Sequence, residues 1–511
     1  MFRTRLSAAR HFAITGGTAG LLAVSLGAAA IQASPASAAT GRTGSSATTR
    51  PAPARPAAGV IRPGQWVQVT TPLKGTAIIP QIGLARGKDG VLHVVWLNGA
   101  SPNFAIKDTP ITASGRVGKP VAVASHWFLA TDPDATTTPS GVEAVWNGFK
   151  TESGSTSGTA TATRPLRGGS WKVSPTIIPG LTGAADTGSP DTATTGSDGK
   201  PWVAFYGTDS LVVGHFGHPE VQLNPGKFQC CVQEAGLATD GKSGVTSLTY
   251  ESDISKHNGV FARPLTQAGK AAGPARLLPG SVQGGSAIVP EQKVGITGRG
   301  HGRPGTYVIY GAGWPTYHSF NVIKLGSRRV IKVARPSGAG HELAGADITA
   351  DSASRLWTAW IEGDGGKPAL FVRRSNLSAG TFGATERVAL PKGTTTVFQV
   401  YINAVGGKAD VVALVARNNN NGADYWATEV NPKLSLSGSR SSSGGAKVTL
   451  RVTDSGSPVR GATVRFCGRH ATTPKSGRVT FRVHSISHGS ATASTSKRGF
   501  AGTSVKVKAS C

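Results

Sequence analysis

An all-β fold is what this chain predicts, and three observations carry the expectation. Its 511 residues include 69 Gly and 31 Pro, a turn-rich composition unfavourable to helices. Beyond the N-terminus, no window of about ten residues holds a 3.6-residue apolar period. Seven segments share one plan: a short strand of small or β-branched residues, a turn rich in Gly, Asp, Ser and Lys, and an alternating strand with a large apolar end. They end at Trp96, Trp146, Tyr206, Tyr250, Tyr310, Trp360 and Val415, spaced 50, 60, 44, 60, 50 and 55 residues apart. That period suits one unit of a β-propeller.

Before the repeats, Arg3, Arg5 and Arg10 precede an apolar run from Phe12 to Ile31, followed by Ala36-Ser37-Ala38. This is the layout of a secretory signal cut before Ala39, with a permanent membrane anchor as the rival. The glycines of the run and the Ala-x-Ala site favour the signal. Residues 1–38 are therefore expected to be removed, and 39–63, rich in Ser, Thr, Pro and Ala, to be a disordered linker. The mature chain is expected to be secreted or envelope-associated, monomeric and without a membrane span.

Each repeat continues through a third strand, such as Ala369 to Asn376, and most close with a Pro-Gly flavoured fourth, such as Trp171 to Gly180. Four antiparallel strands make a propeller blade. The last unit lacks its fourth strand and stops at Asn431-Pro432, whereas Trp66 to Leu73 reads as a fourth strand with no unit before it. Pairing the two would close the ring and remove both exposed edges. Seven blades over 64–432 are expected, with six as the alternative.

The layout from Gly64 to Pro432 resembles the exported bacterial sialidase-like (BNR-type) propellers. Their turn motif, Ser-x-Asp-x-Gly-x-x-Trp, is not matched: Ser197-Asp198-Gly199-Lys200-Pro201-Trp202 comes nearest and fails the spacing. The sialidase catalytic set is accordingly not transferred to this chain, and fold does not imply activity.

A propeller places its blade-entry positions around one mouth of the central channel. Here these are Gln81, Asp134, Asp191, Glu234, Glu291, Asp347 and Gln399. They could form a polar ring for sugar hydroxyls or a channel cation such as calcium, or each could cap backbone amides at a tight turn. Loops after each second strand should open on the same face. Those loops supply the ligand candidates Asn98, Asn147, Asp209, Asp253, His257, Trp314, Tyr317, His318, Glu362 and Asp364, since aromatic rings and carboxylates together suit saccharides. Trp96, Trp146, Tyr206, Tyr310 and Trp360 are expected to pack between blades. No metal-ligand cluster, phosphate loop or nucleophile elbow is present, and no other cofactor is implied.

From Lys433 to Cys511 the pattern changes, and Gly456-Ser457-Pro458-Val459-Arg460-Gly461-Ala462-Thr463-Val464 resembles bacterial immunoglobulin-like modules. Such modules usually serve as spacers or attachment domains. This segment holds fourteen Lys and Arg against one acid, Asp454, whereas 63–432 is near balance with 33 basic and 25 acidic residues. An anionic polymer is the partner this asymmetry suggests; nucleic acid ranks low because no fold-specific motif accompanies the charge. Four cysteines allow three pairings. Cys467 with Cys511 would staple the small module, leaving Cys230 and Cys231 to bridge as neighbours.

The sequence thus points to a non-catalytic protein that recognises a glycan or surface polymer. A glycoside hydrolase or polysaccharide lyase and a protein-assembly scaffold remain as alternatives, with no catalytic residue assigned.

Overall fold

The computed structural model describes residues 59–71, 81–130, 133–151, 158–166, 168–174, 192–207, 210–219, 221–223, 232–252, 258–281, 292–300, 302–313, 317–338, 341–364, 368–417 and 423–511. The expected signal and linker, apart from 59–63, lie outside these residues, as do Cys230 and Cys231.

The described chain is all β, in small antiparallel sheets. Through Val430 the described residues form seven of them. The first runs from Ile82–Arg86 through Leu92–Asn98 and Phe104–Ile111 to Val121–Trp127. The next five repeat this meander, with Asp134–Thr137, Thr192–Thr195, Val232–Thr239, Ile296–Gly298 and His341–Ala350 as their first strands, preceded in the second sheet by Leu129–Ala130. The seventh contains Thr394–Val405, Lys408–Arg417 and Ala423–Val430, and its outer strand comes from the other end of the repeat region. Val67 and Gln68 pair with Ala427 and Trp426. Val69 N–H donates to the Tyr425 carbonyl at 2.9 Å, and Tyr425 N–H donates to Thr70 Oγ1 at 2.9 Å.

Alternation along the second strands turns one apolar row toward each neighbouring sheet, so the core lies between sheets. Trp96 packs with Tyr401, Leu414 and Tyr425, joining the first sheet to the seventh. Trp127 and Trp146 meet edge to face between the first and second, with ring centroids 5.5 Å apart. Further clusters join second to third, third to fourth, fourth to fifth, fifth to sixth and sixth to seventh. The contacts close in a cycle, which is the propeller arrangement. Trp96, Trp146, Tyr250, Tyr310 and Trp360 are all buried, as strand-end packing requires.

The turn between first and second strands uses one device repeatedly. Asp89, Asp198, Asp240 and Asp351 each accept the amide N–H two residues on, at 2.9 to 3.1 Å. Asp351 also accepts from the Trp357 indole at 3.0 Å, tying the turn to the core.

Residues 433–511 form two four-stranded sheets. One holds Ser435–Ser441, Lys447–Asp454, Ser457–Pro458 and Arg478–Arg482; the other holds Arg469–Thr472, Thr463–Phe466, Ala491–Ser496 and Thr503–Val507. Val448, Leu450, Val452, Val459, Val464 and Phe466 fill the space between them. A disulfide joins Cys467 to Cys511.

This module is docked on the sixth sheet. Arg374 and Arg355 both pair with Asp454, at 2.5 and 3.1 Å. Ser455 Oγ donates to the Arg374 carbonyl at 2.7 Å, and the Arg374 guanidinium lies over Trp357 of the body and Phe500 of the module. Gly383 makes the approach close, because a Cβ there would stand 3.1 Å from Ser455 N.

Candidate functional site

Two places gather the chemistry expected from the sequence: the channel, and a cleft between the fifth and sixth sheets.

The channel is a cavity of about 570 Å³ lined by the inner strands of all seven sheets. At its entry ring, the carboxylates of Asp134 and Asp347 are engaged with backbone. Asp134 accepts from Ala135 N–H and from Ala193 N–H of the next sheet, each at 2.8 Å. Asp347 likewise accepts from Ile348 N–H at 2.8 Å and from Ile402 N–H of the next sheet at 2.9 Å. Each carboxylate therefore stitches one sheet to its neighbour. Gln399 accepts from the Tyr401 and Tyr425 hydroxyls inside the seventh sheet. Gln81 and Glu234 are buried, and the Glu234 carbonyl accepts from Val294 N–H at 3.0 Å. Asp191 and Glu291 lie outside the described residues. Beside Glu291, Gln292 spans to Ala346 and Val400, a crossing the sequence reading missed.

Lys293 is the other residue missed there. Its ammonium reaches across from the fifth sheet to Asp134 Oδ2 at 2.6 Å, so a lysine stands where a channel cation was considered. Among the described residues no group of three or more His, Cys, Asp or Glu could hold a metal ion. Asp347 keeps some surface toward the channel but is hemmed in by protein, and this enclosure pushes its carboxyl up to about 6 against the pull of its two amides and Lys293.

The cleft is more open to a ligand. Glu362 lies two residues before the end of the sixth sheet's second strand, Leu356–Asp364, and its Oε1 accepts from Ser337 N–H at 2.7 Å and Ser337 Oγ at 2.5 Å. His341 Nδ1 lies 2.7 Å from the same oxygen and 3.0 Å from Ser337 Oγ. A cavity of about 440 Å³ adjoins this cluster, walled by Trp360 and Phe371 and by the cations Lys332, Arg335 and Arg373. The two rings are stacked with centroids 5.5 Å apart. Arg373 is committed to the carbonyls of Val333, Phe382 and Gly383, whereas Lys332 and Arg335 are exposed. The cleft thus presents a carboxylate–imidazole–hydroxyl cluster, an apolar wall and two accessible cations.

Of the other ligand candidates, Tyr317, Asn147, Asn98 and His318 do not line it. Tyr317, read as a contact residue because it falls outside the strand pattern, is corrected to a packing position. It is buried against Phe320 with centroids 5.6 Å apart, bridges to Leu343 and lies across Gly311. Asn147 is buried too, accepting from Thr159 Oγ1 at 2.6 Å, and Asn98 accepts from Thr71 Oγ1 at 3.2 Å. His318 is exposed, its backbone N–H bonded to Ala312. Asp364 pairs through its backbone with His341, the side chain being outside the description. Asp209, Asp253, His257 and Trp314 lie outside the described residues.

No protein-family model matches the chain, and no curated relative is found by sequence. Solved structures are similar in outline. The polysaccharide lyase Uly1 aligns over 73% of this chain and 100% of its own, at 12% identity and a TM-score of 0.41. A catalytically inactive virginiamycin B lyase from Staphylococcus aureus covers 71% and 99%, at 12% and 0.39. The Hadza microbial sialidase Hz136 covers 68% and 65%, at 10% and 0.36. These scores leave activity to be argued from the site itself.

Proposed function

We propose that this chain is a secreted, non-catalytic recognition protein whose cleft at Glu362 binds an acidic glycan or cell-surface polymer. In this reading, residues 64–432 are a seven-bladed propeller and 433–511 an immunoglobulin-like sandwich that attaches the protein to an anionic envelope. One observation carries it: Glu362, His341 and Ser337 meet an aromatic wall beside two exposed cations. The half-buried Phe371, backed by the buried Trp360, covers the C–H face of a sugar, the polar cluster takes hydroxyls, and Lys332 with Arg335 suits a carboxylate or sulfate. Glu362 is the carboxylate among the described lining residues, and hydrolysis of a glycosidic bond ordinarily takes two facing ones.

A polysaccharide lyase is the second reading, and His341 favours it. An imidazole oriented by Glu362 takes the proton beside a uronate carboxylate that Lys332 and Arg335 neutralise; the released C–H electron pair becomes the ring double bond as the glycosidic C–O bond breaks, and the imidazolium returns the proton to the departing oxygen, with no water consumed. One experiment separates the two. The mature chain, its K332S/R335S variant and its His341→Ala variant are applied to an array of acidic glycans, and the same glycans are followed in solution by ultraviolet absorbance for unsaturated uronate. Binding lowered at least tenfold in K332S/R335S, with no absorbance growth, supports recognition. Absorbance growth abolished by His341→Ala replaces recognition with the lyase. An array on which the parent binds nothing sinks both.

A further inference from the structure

The outward face of one module sheet forms a regular grid. Three strands lie side by side, with Ser435–Ser441 and Arg478–Arg482 flanking Lys447–Asp454. Their register places Ser437, Arg451 and Arg478 in one row, Ser439, Thr449 and Thr480 in the next, and Ser441, Lys447 and Arg482 in the third. Alternation fixes which side these residues take. Val448, Leu450, Val479 and Phe481, between them in sequence, are all buried in the module core. The face therefore carries four cations and five hydroxyls, with no carboxylate.

Such a face works against the sheet that bears it. Like charges directly opposite one another across strands are destabilising, and here two such pairs occur, Lys447 opposite Arg482 and Arg451 opposite Arg478. Among the described residues none of the four has an ion-pair partner, although the fold pairs cations elsewhere. The module's single acid cannot relieve them, because Asp454 is buried against Arg374 and Arg355 of the sixth sheet. Docking thus leaves the exposed surface of the module purely cationic.

The rows define what would satisfy it. The two cation rows are four residues apart along the strands, about 13 Å at roughly 3.3 Å per residue. Between them Thr449 Oγ1 and Thr480 Oγ1 lie 2.9 Å apart, a hydrogen-bonded hydroxyl pair facing outward. We infer that this grid binds an extended acidic polysaccharide along the strands, with carboxylates on the cation rows and the hydroxyls of an intervening neutral sugar on the Ser439–Thr449–Thr480 row. The grid has no aromatic ring on which a base could stack, which disfavours single-stranded nucleic acid. The inference rests on the reading of the module as an attachment domain and gives that attachment a surface and a ligand class.

The test uses the mature full chain and hyaluronan, whose alternate sugars are uronate and neutral, with dextran and duplex DNA as comparison polymers. R451T/R478T and K447T/R482T are each expected to weaken hyaluronan binding at least tenfold and to make its salt dependence shallower than the parent's. T449V/T480V is expected to weaken hyaluronan severalfold and to leave DNA unchanged. R465T/K475T, off the grid, should bind as the parent does. If the parent binds hyaluronan and the grid variants bind equally well, this surface is wrong while the attachment reading survives. If the parent binds none of the polymers, both fall. DNA bound more tightly than hyaluronan, with no effect of T449V/T480V, overturns the polysaccharide assignment. If K332S/R335S loses hyaluronan binding while the grid variants bind as the parent does, the site lies in the cleft and the grid is wrong.

Discussion

The repeat body and the C-terminal module treat charge in opposite ways. In the body, Arg86 pairs with Asp410 between the first and seventh sheets, Arg164 with Asp108 between second and first, and Lys293 with Asp134 across the channel. The module turns its one acid inward and leaves the cations of its outer grid without carboxylate partners, while Lys433 pairs with Glu386 of the body. The contrast shows that charge balance in this chain follows place in the fold: where sheets must be held together charges are paired, and where they are left alone the surface is available for a partner.

The largest expected effect breaks that contrast at the junction. Arg374→Ala leaves Asp454 buried beside Arg355 alone, and removing one partner of a buried pair typically costs about 3–5 kcal/mol. Urea unfolding should show that loss, whereas R355M/R374M/D454L, which removes all three charges, should lie nearer the parent. Equal losses in the two variants would mean that packing, not charge, holds the module.

A smaller effect concerns the channel. Burial raises the Asp347 carboxyl from 3.8 to about 6, so between those values the folded chain holds a proton that the unfolded chain has released. Stability from this group therefore falls as pH rises from about 4 to about 6 and is flat above. Thermal midpoints at pH 4 and pH 7 should differ less in Asp347→Asn than in the parent. An unchanged difference would place the pH dependence elsewhere.

The smallest effect sharpens the comparison from the module's side. R451T/R478T removes one like-charged cross-strand pair and should change stability by no more than about 0.5 kcal/mol, toward greater stability in low salt. A clear loss, read by the same urea titration, would mean that these arginines are structural.

Local pattern made much of this legible in the sequence. The repeat spacing, the aromatic strand ends, the outer strand near Val67 and the Cys467–Cys511 bond could be read because each is a property of one segment or of a missing mate. Glu362 was legible as a loop-end carboxylate. Its companions were not, since Ser337 sits in a Gly-rich connection that reads only as a turn and His341 begins the strand that follows it. Lys293 meets Asp134 across 159 residues, and Arg374 meets Asp454 across 80. No local signal spans such separations; ring closure and docking create them. Tyr317 was misread for the opposite reason: it lies outside a strand pattern yet is carried into the core by its bridge to Leu343.

Asp454 has one more consequence. Because Asp454 holds the module against the sixth sheet, the proposed cleft and the proposed grid are carried on bodies joined by that contact as well as by the chain. A polymer long enough to reach from one to the other would be gripped twice, the second grip being an intramolecular event, while fragments shorter than that gap would be held once and released. The protein would then discriminate by chain length as a calliper does, and loosening the clamp would blunt that selectivity without touching either contact surface.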